Sequence, residues 1–363
     1  VSMISLFNVP HPRNSDLLNE VVLSTNIISG EYVKTFEDAI SVDFDGADCV
    51  LTKDMSTAFL GVLKVLDCKA PVMMNTFNCL SSTSPIANLD LDVVWTYCDM
   101  EDGYDFNLLD MQIDVYGVKV FIHYHVAGYL TDMHKLASFC RQKEIILIED
   151  CNSAISGYSG GKRVGTFGDI AILSFYANRY LSTLDGGAVI VNDKNIFKGN
   201  ELRSFFKYGI DLDVFRTPNG EINSESDVPL VGINGLLSNA QCALAVSQLP
   251  ELEHKKQVVA TNYALYNELM PDDYMLQARQ PSEVYPWVYF IKVDKNTEEF
   301  LEHIKNSGIQ ASYLHYFNHT YSGFRSKNTL PNYQRSLVAL PVGWWVNEDD
   351  VEFVVQVIKK NRR

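Results

Sequence analysis

Residues 145–148 form an unbroken apolar run, Ile-Ile-Leu-Ile, that closes on Glu149-Asp150. A short run apolar at every position predicts a strand covered on both faces. Residues 131–143 precede it, with apolar positions at Met133, Leu136, Ala137 and Cys140 behind a Thr-Asp start. That spacing predicts a capped amphipathic helix. Residues 118–124, 171–176 and 188–191 read as further buried strands, the last two parted by the turn Leu184-Asp185-Gly186-Gly187. Helix, buried strand and polar turn in alternation predict an α/β domain with a mostly parallel central sheet and flanking helices. Ligands of such sheets sit beyond the carboxyl ends of the strands, where Asp150 lies.

The pattern changes after about residue 235. Residues 237–248 and 252–269 predict helices divided near Pro250, 284–293 an aromatic-rich strand, 298–307 a helix ending at Gly308, and 349–360 a last amphipathic helix. The expected division is a large domain over 1–240 and a smaller C-terminal α+β lobe over 241–363. With 363 residues, 47% of them hydrophobic, the chain can bury a core of that size.

Composition narrows the partners. A net charge of −15 with only short basic clusters sets nucleic acid aside and leaves small molecules or proteins. No apolar run is long enough for a membrane helix, and residues 1–19 lack the pattern of a secretory signal. The seven cysteines show no C-x-x-C spacing, which predicts free thiols in a reducing cytoplasm and no metal site.

The densest motif runs from Ile148 to Asp193. It holds Glu149-Asp150, then Gly161-Lys162-Arg163-Val164-Gly165-Thr166-Phe167-Gly168-Asp169, then Ser174-Phe175, then Asp185-Gly186-Gly187. Outside it lie Thr76-Phe77, His125-Val126-Ala127-Gly128, Ser247-Gln248-Leu249 and Ala339-Leu340-Pro341-Val342. In this order the segments resemble the DegT/DnrJ/StrS sugar aminotransferase family, with its E-D-A-A-Q-A, G-x-x-V-G-T-F-G-D, S-F-x-x-x-K and G-E-G-G elements. The resemblance spans nearly the whole chain. It implies a fold-type-I aminotransferase architecture, a homodimer, pyridoxal phosphate as cofactor, and a nucleotide-linked sugar as substrate in polysaccharide or sugar biosynthesis. It implies that Asp150 pairs with the pyridine nitrogen, Ser174 meets the phosphate, Phe77 stacks on the ring, and Ser56 is a further cofactor contact. His315 and Tyr316 fall in the lobe where the family places sugar contacts.

The departures from the family fall on the cofactor contacts. Five residues after Ser174, where the family has its Schiff-base lysine, stands Arg179, and no lysine lies between Lys162 and Lys194. Arginine stays protonated and is a poor nucleophile, so it cannot replace that amine. Ser153 stands where the family has Gln, and Met55 where it has the Gly of G-T-x-A-L. Asn234 keeps the Asn of N-x-R, but Leu236 replaces its Arg. Three readings remain open. Pyridoxal phosphate binds without a covalent bond; or the cofactor is gone and Arg179 holds an anion of a nucleotide-linked sugar; or the chain is a catalytically silent partner subunit.

Overall fold

The computed structural model describes residues 3–11, 15–211, 213–276, 285–331, 333 and 336–360. Eight strands build the main sheet: β1 (Asp48–Thr52), β2 (Val72–Asn75), β3 (Asp92–Thr96), β4 (Val120–Tyr124), β5 (Ile146–Asp150), β6 (Ile170–Ser174), β7 (Gly187–Val191) and β8 (Arg325–Ser326). Their order across the sheet is β1-β7-β6-β5-β4-β2-β3-β8. Every pairing is parallel except those of β7, which runs against both β1 and β6. β7 follows β6 through the loop 175–186, which returns the chain antiparallel and is held near its end by Thr183 Oγ1 donating to the Asp185 carbonyl at 2.9 Å.

The strands are apolar throughout because both faces are covered. On β6, Ile170 and Ile172 pack with Phe59 and Val62 of the helix Met55–Val65. Ala171 and Leu173 pack on the other side, with Phe36 and Phe175. On β5, Leu147 meets the helices Phe106–Tyr116 and Met133–Gln142, while Ile148 joins the Met55–Val65 side. A strand turns successive side chains to opposite faces. Glu149 therefore shares the face of Leu147, and Asp150 the face of Ile148. Caps fix where helices begin. Asp132 Oδ1 accepts from Lys135 N at 3.0 Å, and the Ser238 hydroxyl starts the helix Asn239–Val246.

The C-terminal part contains the helices Leu252–Leu269, Thr297–Asn306 and Glu348–Lys360, and the antiparallel pair Tyr289–Lys292 with Leu337–Leu340. Of the strand expected over 284–293, Val284 lies outside the described residues. Three segments cross between the parts, one of them Tyr316–Phe317, which pairs antiparallel with Phe77–Asn78. Ile4 pairs with Ile309, and β8 returns to the edge of the main sheet beside β3. None of the helices among the described residues is long and apolar enough to cross a membrane.

Candidate functional site

At the carboxyl ends of β5 and β6 lies a cavity of about 360 Å³, lined among others by Ser56, Ser81, Ser174, Arg179, Asp185 and Trp287. Arg179 sits in its wall, 8% exposed. Its guanidinium carbon lies 3.9 Å from the centroid of the Trp287 ring, a cation–π contact. Nη1 donates to Asn178 Oδ1 at 3.2 Å and Nη2 to Asn152 Oδ1 at 3.1 Å. The buried Nε–H has no partner among the described residues. Burial lowers the pKa of the guanidinium, partly offset by the nearby Tyr124, Cys79 and Asp150.

Asp150 lies behind this wall, fully buried. Ser82 Oγ donates to its Oδ2 at 2.6 Å. Asn152 donates twice to its Oδ1, from N at 3.1 Å and from Nδ2 at 3.0 Å. Burial raises the Asp150 pKa, and the Ser82 and Asn152 hydrogen bonds oppose that shift. Ser153 is buried beside it and donates from Oγ to Asn152 Oδ1 at 2.6 Å.

The helix Met55–Val65 points its N-terminus into the same cavity. A helix N-terminus attracts anions. Here a carboxylate already occupies that position. Asp54 accepts from Thr57 N at 2.7 Å and from Thr57 Oγ1 at 2.8 Å. Asp185 lines the cavity too, its pKa raised by desolvation and then by the charge of Asp54. Met55 is buried at the helix start, and Ser56 Oγ donates to the Ser81 carbonyl at 2.7 Å. Ser174 Oγ accepts from Tyr176 N at 3.3 Å.

The structure brings together Arg179, Asp150, Ser153, Ser174 and Ser56; His315 and Phe77 stand next to this group across Tyr124, and Tyr316 and Asn234 lie apart from it. Phe77 stands in a separate small cavity, its ring 5.5 Å from that of His315 and 5.7 Å from that of Phe317. His315 hydrogen-bonds through Nε2 to Tyr124 Oη at 3.0 Å. Its pKa is pushed down to about 3 by burial and then by the charge of Arg179. Tyr316 is exposed and packs near Tyr321. Asn234 is exposed and pairs with Lys207. Sequence reasoning missed Asn152, Ser82, Asp54 and Trp287. Asn152 carried a signal, since it stands where the family's E-D-A-A-Q-A has its second Ala. Trp287 carried none.

The side chains present do not fit pyridoxal phosphate. No lysine lines the cavity among the described residues. The buried amine of Lys255, its pKa lowered by burial to about 8, donates instead to the Tyr180 carbonyl at 2.9 Å. The carboxylate that would meet the ring nitrogen already takes hydrogen bonds on both oxygens. At the other end, the phosphate would approach Asp54 and Asp185. What the cavity offers is a guanidinium on an aromatic wall, serine hydroxyls and two carboxylates, a set that binds polar ligands but contains no amine nucleophile.

The DegT/DnrJ/EryC1/StrS aminotransferase family model matches residues 11–359. GDP-perosamine synthase of Escherichia coli O157:H7 is 23% identical over 92% of this chain and 88% of its own length. A UDP-4-amino-4,6-dideoxy-N-acetyl-beta-L-altrosamine transaminase of Campylobacter jejuni is 23% identical over 93% of this chain and 92% of its own. The sugar aminotransferase CalS13 of Micromonospora echinospora has the same fold, with a TM-score of 0.89 at 24% identity over 99% of this chain and 100% of its own.

Proposed function

Because the chain belongs to the DegT/DnrJ/EryC1/StrS aminotransferase family, whose pyridoxal-phosphate enzymes serve nucleotide-sugar biosynthesis, we propose that it binds a nucleotide-linked sugar in the Arg179 cavity without any Schiff base to the protein. The observation that carries this reading is Arg179 itself, held against Trp287 in the cavity wall. Two of its five N–H groups are committed to asparagine oxygens. The others suit a phosphoryl or carboxylate oxygen, and arginine binds such groups in bidentate fashion. Ser56, Ser81 and Ser174 add hydroxyls for the hydroxyls of a sugar. A homodimer in the cytoplasm, in the synthesis of a surface polysaccharide, completes the proposal.

Calorimetric titration with UDP-, GDP- and TDP-linked hexoses tests it. We expect one nucleotide series to bind, and Arg179→Met to weaken it by about tenfold, the loss of one charge-assisted hydrogen bond. Absence of binding by every series rejects the reading.

A second reading, a catalytically silent partner subunit, has its own support. Leu80 and Leu184, 48% and 64% exposed, stand beside cavity-lining Cys79, Ser81 and Asp185, and Tyr176, 51% exposed, lines the cavity itself. A second subunit would cover them. If this reading holds, the chain co-purifies with an active family member and raises that enzyme's turnover, while binding no nucleotide-linked sugar alone.

A further inference from the structure

We infer that Asn152 closes the cofactor site of this chain: its carboxamide stands between Asp150 and Arg179, where the pyridoxal ring would have to lie. The inference deepens the reading that the protein forms no Schiff base, and it concerns residues that reading did not use.

The chemistry of pyridoxal sets the geometry. Its ring nitrogen and the carbon bearing its aldehyde lie at opposite corners of one six-membered ring. A carboxylate that meets the nitrogen and a side chain that meets the aldehyde must therefore face each other across that ring. Asp150 and position 179 are those two places. Here a single side chain joins them. Asn152 Nδ2 donates to Asp150 Oδ1 at 3.0 Å, and Asn152 Oδ1 accepts from Arg179 Nη2 at 3.1 Å.

The bridge is fixed from several sides. Ser153 Oγ donates to Asn152 Oδ1 at 2.6 Å, and Asn152 N donates to Asp150 Oδ1 at 3.1 Å. The network also sets which way the carboxamide points. Flipped, it would turn its oxygen on a carboxylate and its N–H groups on a guanidinium. Asn152 and Ser153 are 2% and 3% exposed, so water does not substitute for these bonds without a rearrangement. Arg179 is clamped in turn by Asn178 Oδ1 and by the Trp287 ring, and Trp287 Nε1 donates to the Asn178 carbonyl at 3.2 Å. The substitutions at 152, 153 and 179 thus form one unit. Arg179 needs an acceptor, Asn152 supplies it and also satisfies Asp150, and Ser153 orients Asn152.

The closure has two parts, and restoring the amine alone leaves the ring's place taken. Purified full-length protein is mixed with pyridoxal phosphate or with pyridoxal, and the absorbance retained after dialysis is read with and without borohydride. Pyridoxal isolates the ring end, because it carries no phosphate to meet Asp54. In a reactive variant the amine nitrogen bonds the aldehyde carbon, water leaves, and borohydride reduces the C=N bond to a stable adduct seen by mass spectrometry. We expect no retained band in the wild type and no adduct above background in Arg179→Lys. We expect an adduct with at least one of the two aldehydes in Arg179→Lys/Asn152→Ala, about tenfold or more above the Arg179→Lys background. Arg179→Lys/Asn152→Ser is the companion should the alanine variant lose its native circular dichroism.

Three results overturn the inference: a band retained by the wild type, an adduct in Arg179→Lys equal to that of the double variant, or a folded double variant that reacts with neither aldehyde. Nucleotide-sugar binding plays no part in this readout, so the two proposals fail separately.

Discussion

Glu149 and Asp150 are neighbours on β5, are both fully buried, and serve opposite faces of the sheet in different ways. Glu149 holds backbone. Its Oε2 accepts from Gly165 N at 2.8 Å and from His125 Nε2 at 3.0 Å, and its Oε1 accepts from Gly168 N at 2.6 Å. It pins the loop that leads into β6, and every residue in that contact set matches the family pattern. Asp150 holds side chains, namely Ser82, Asn152 and through Asn152 Arg179. On that face the family pattern is broken at 152, 153 and 179. A carboxylate that fixes a backbone loop has no substitute, because backbone N–H groups cannot mutate. A carboxylate that meets side chains can be given new partners by substitution, and Asp150 meets Ser82 and Asn152.

Deleting each carboxylate in turn separates the two faces most directly. Glu149→Ala leaves three buried donors without their acceptor and should lower stability by about 3–5 kcal/mol, read from urea unfolding. Asp150→Ala frees Ser82 and Asn152, which can turn toward other partners, and should lower stability by about 2 kcal/mol. An equal or reversed order would show that the two faces do not differ as argued.

A smaller effect sharpens the same contrast. An added Cβ on Gly168 would lie 2.6 Å from the Leu147 carbonyl oxygen, a backbone atom that cannot move aside. Gly168→Ala should therefore lower stability by about 1–3 kcal/mol, measured in the same unfolding experiment. Asn152→Ala on the other face removes a side chain and leaves space, and should fall at or below about 2 kcal/mol. A Gly168→Ala protein as stable as the wild type would mean that the loop accommodates change as readily as the Asp150 face does.

How far this contrast was legible in the sequence follows from the range of the interactions. β5, β6 and β7 were readable because strands buried on both faces are continuous apolar runs. Helix starts were readable where the cap is local, as at Asp132. Arg179 was found by its fixed offset from Ser174, and Asp150 by its place at a strand end. The bridge was not, because Asn152 meets Arg179 from 27 positions away, and nothing local to 152 announces the guanidinium. Trp287 lies farther still, 109 positions from the Asn178 carbonyl it meets. Phe77 was singled out by a motif position, and the structure sets its ring beside those of His315 and Phe317.

The smallest effect concerns the charge that Arg179 brings to its surroundings. The His315 pKa falls from an ordinary 6.5 to about 3, first through burial and then through Arg179. The groups facing it are Tyr124 Oη, the Phe77 ring and, by its charge, Arg179. A depressed histidine pKa means that between about pH 6.5 and pH 3 the unfolded chain binds a proton at this position that the folded chain refuses. Stability is then untouched above pH 6.5 and is lost progressively as pH falls through that window. His315→Gln removes this contribution, so its stability should fall less steeply from pH 6.5 to pH 4 than that of the wild type. Arg179→Met should flatten the same slope in part, because burial remains when the charge is gone. His123, also depressed well below its usual value by burial, keeps part of the slope in both variants. If Arg179→Met leaves the slope unchanged while His315→Gln flattens it, burial alone sets the His315 pKa. The guanidinium's field would then be consumed within the Asn152, Asn178 and Trp287 clamp and would not reach the neighbouring cavity.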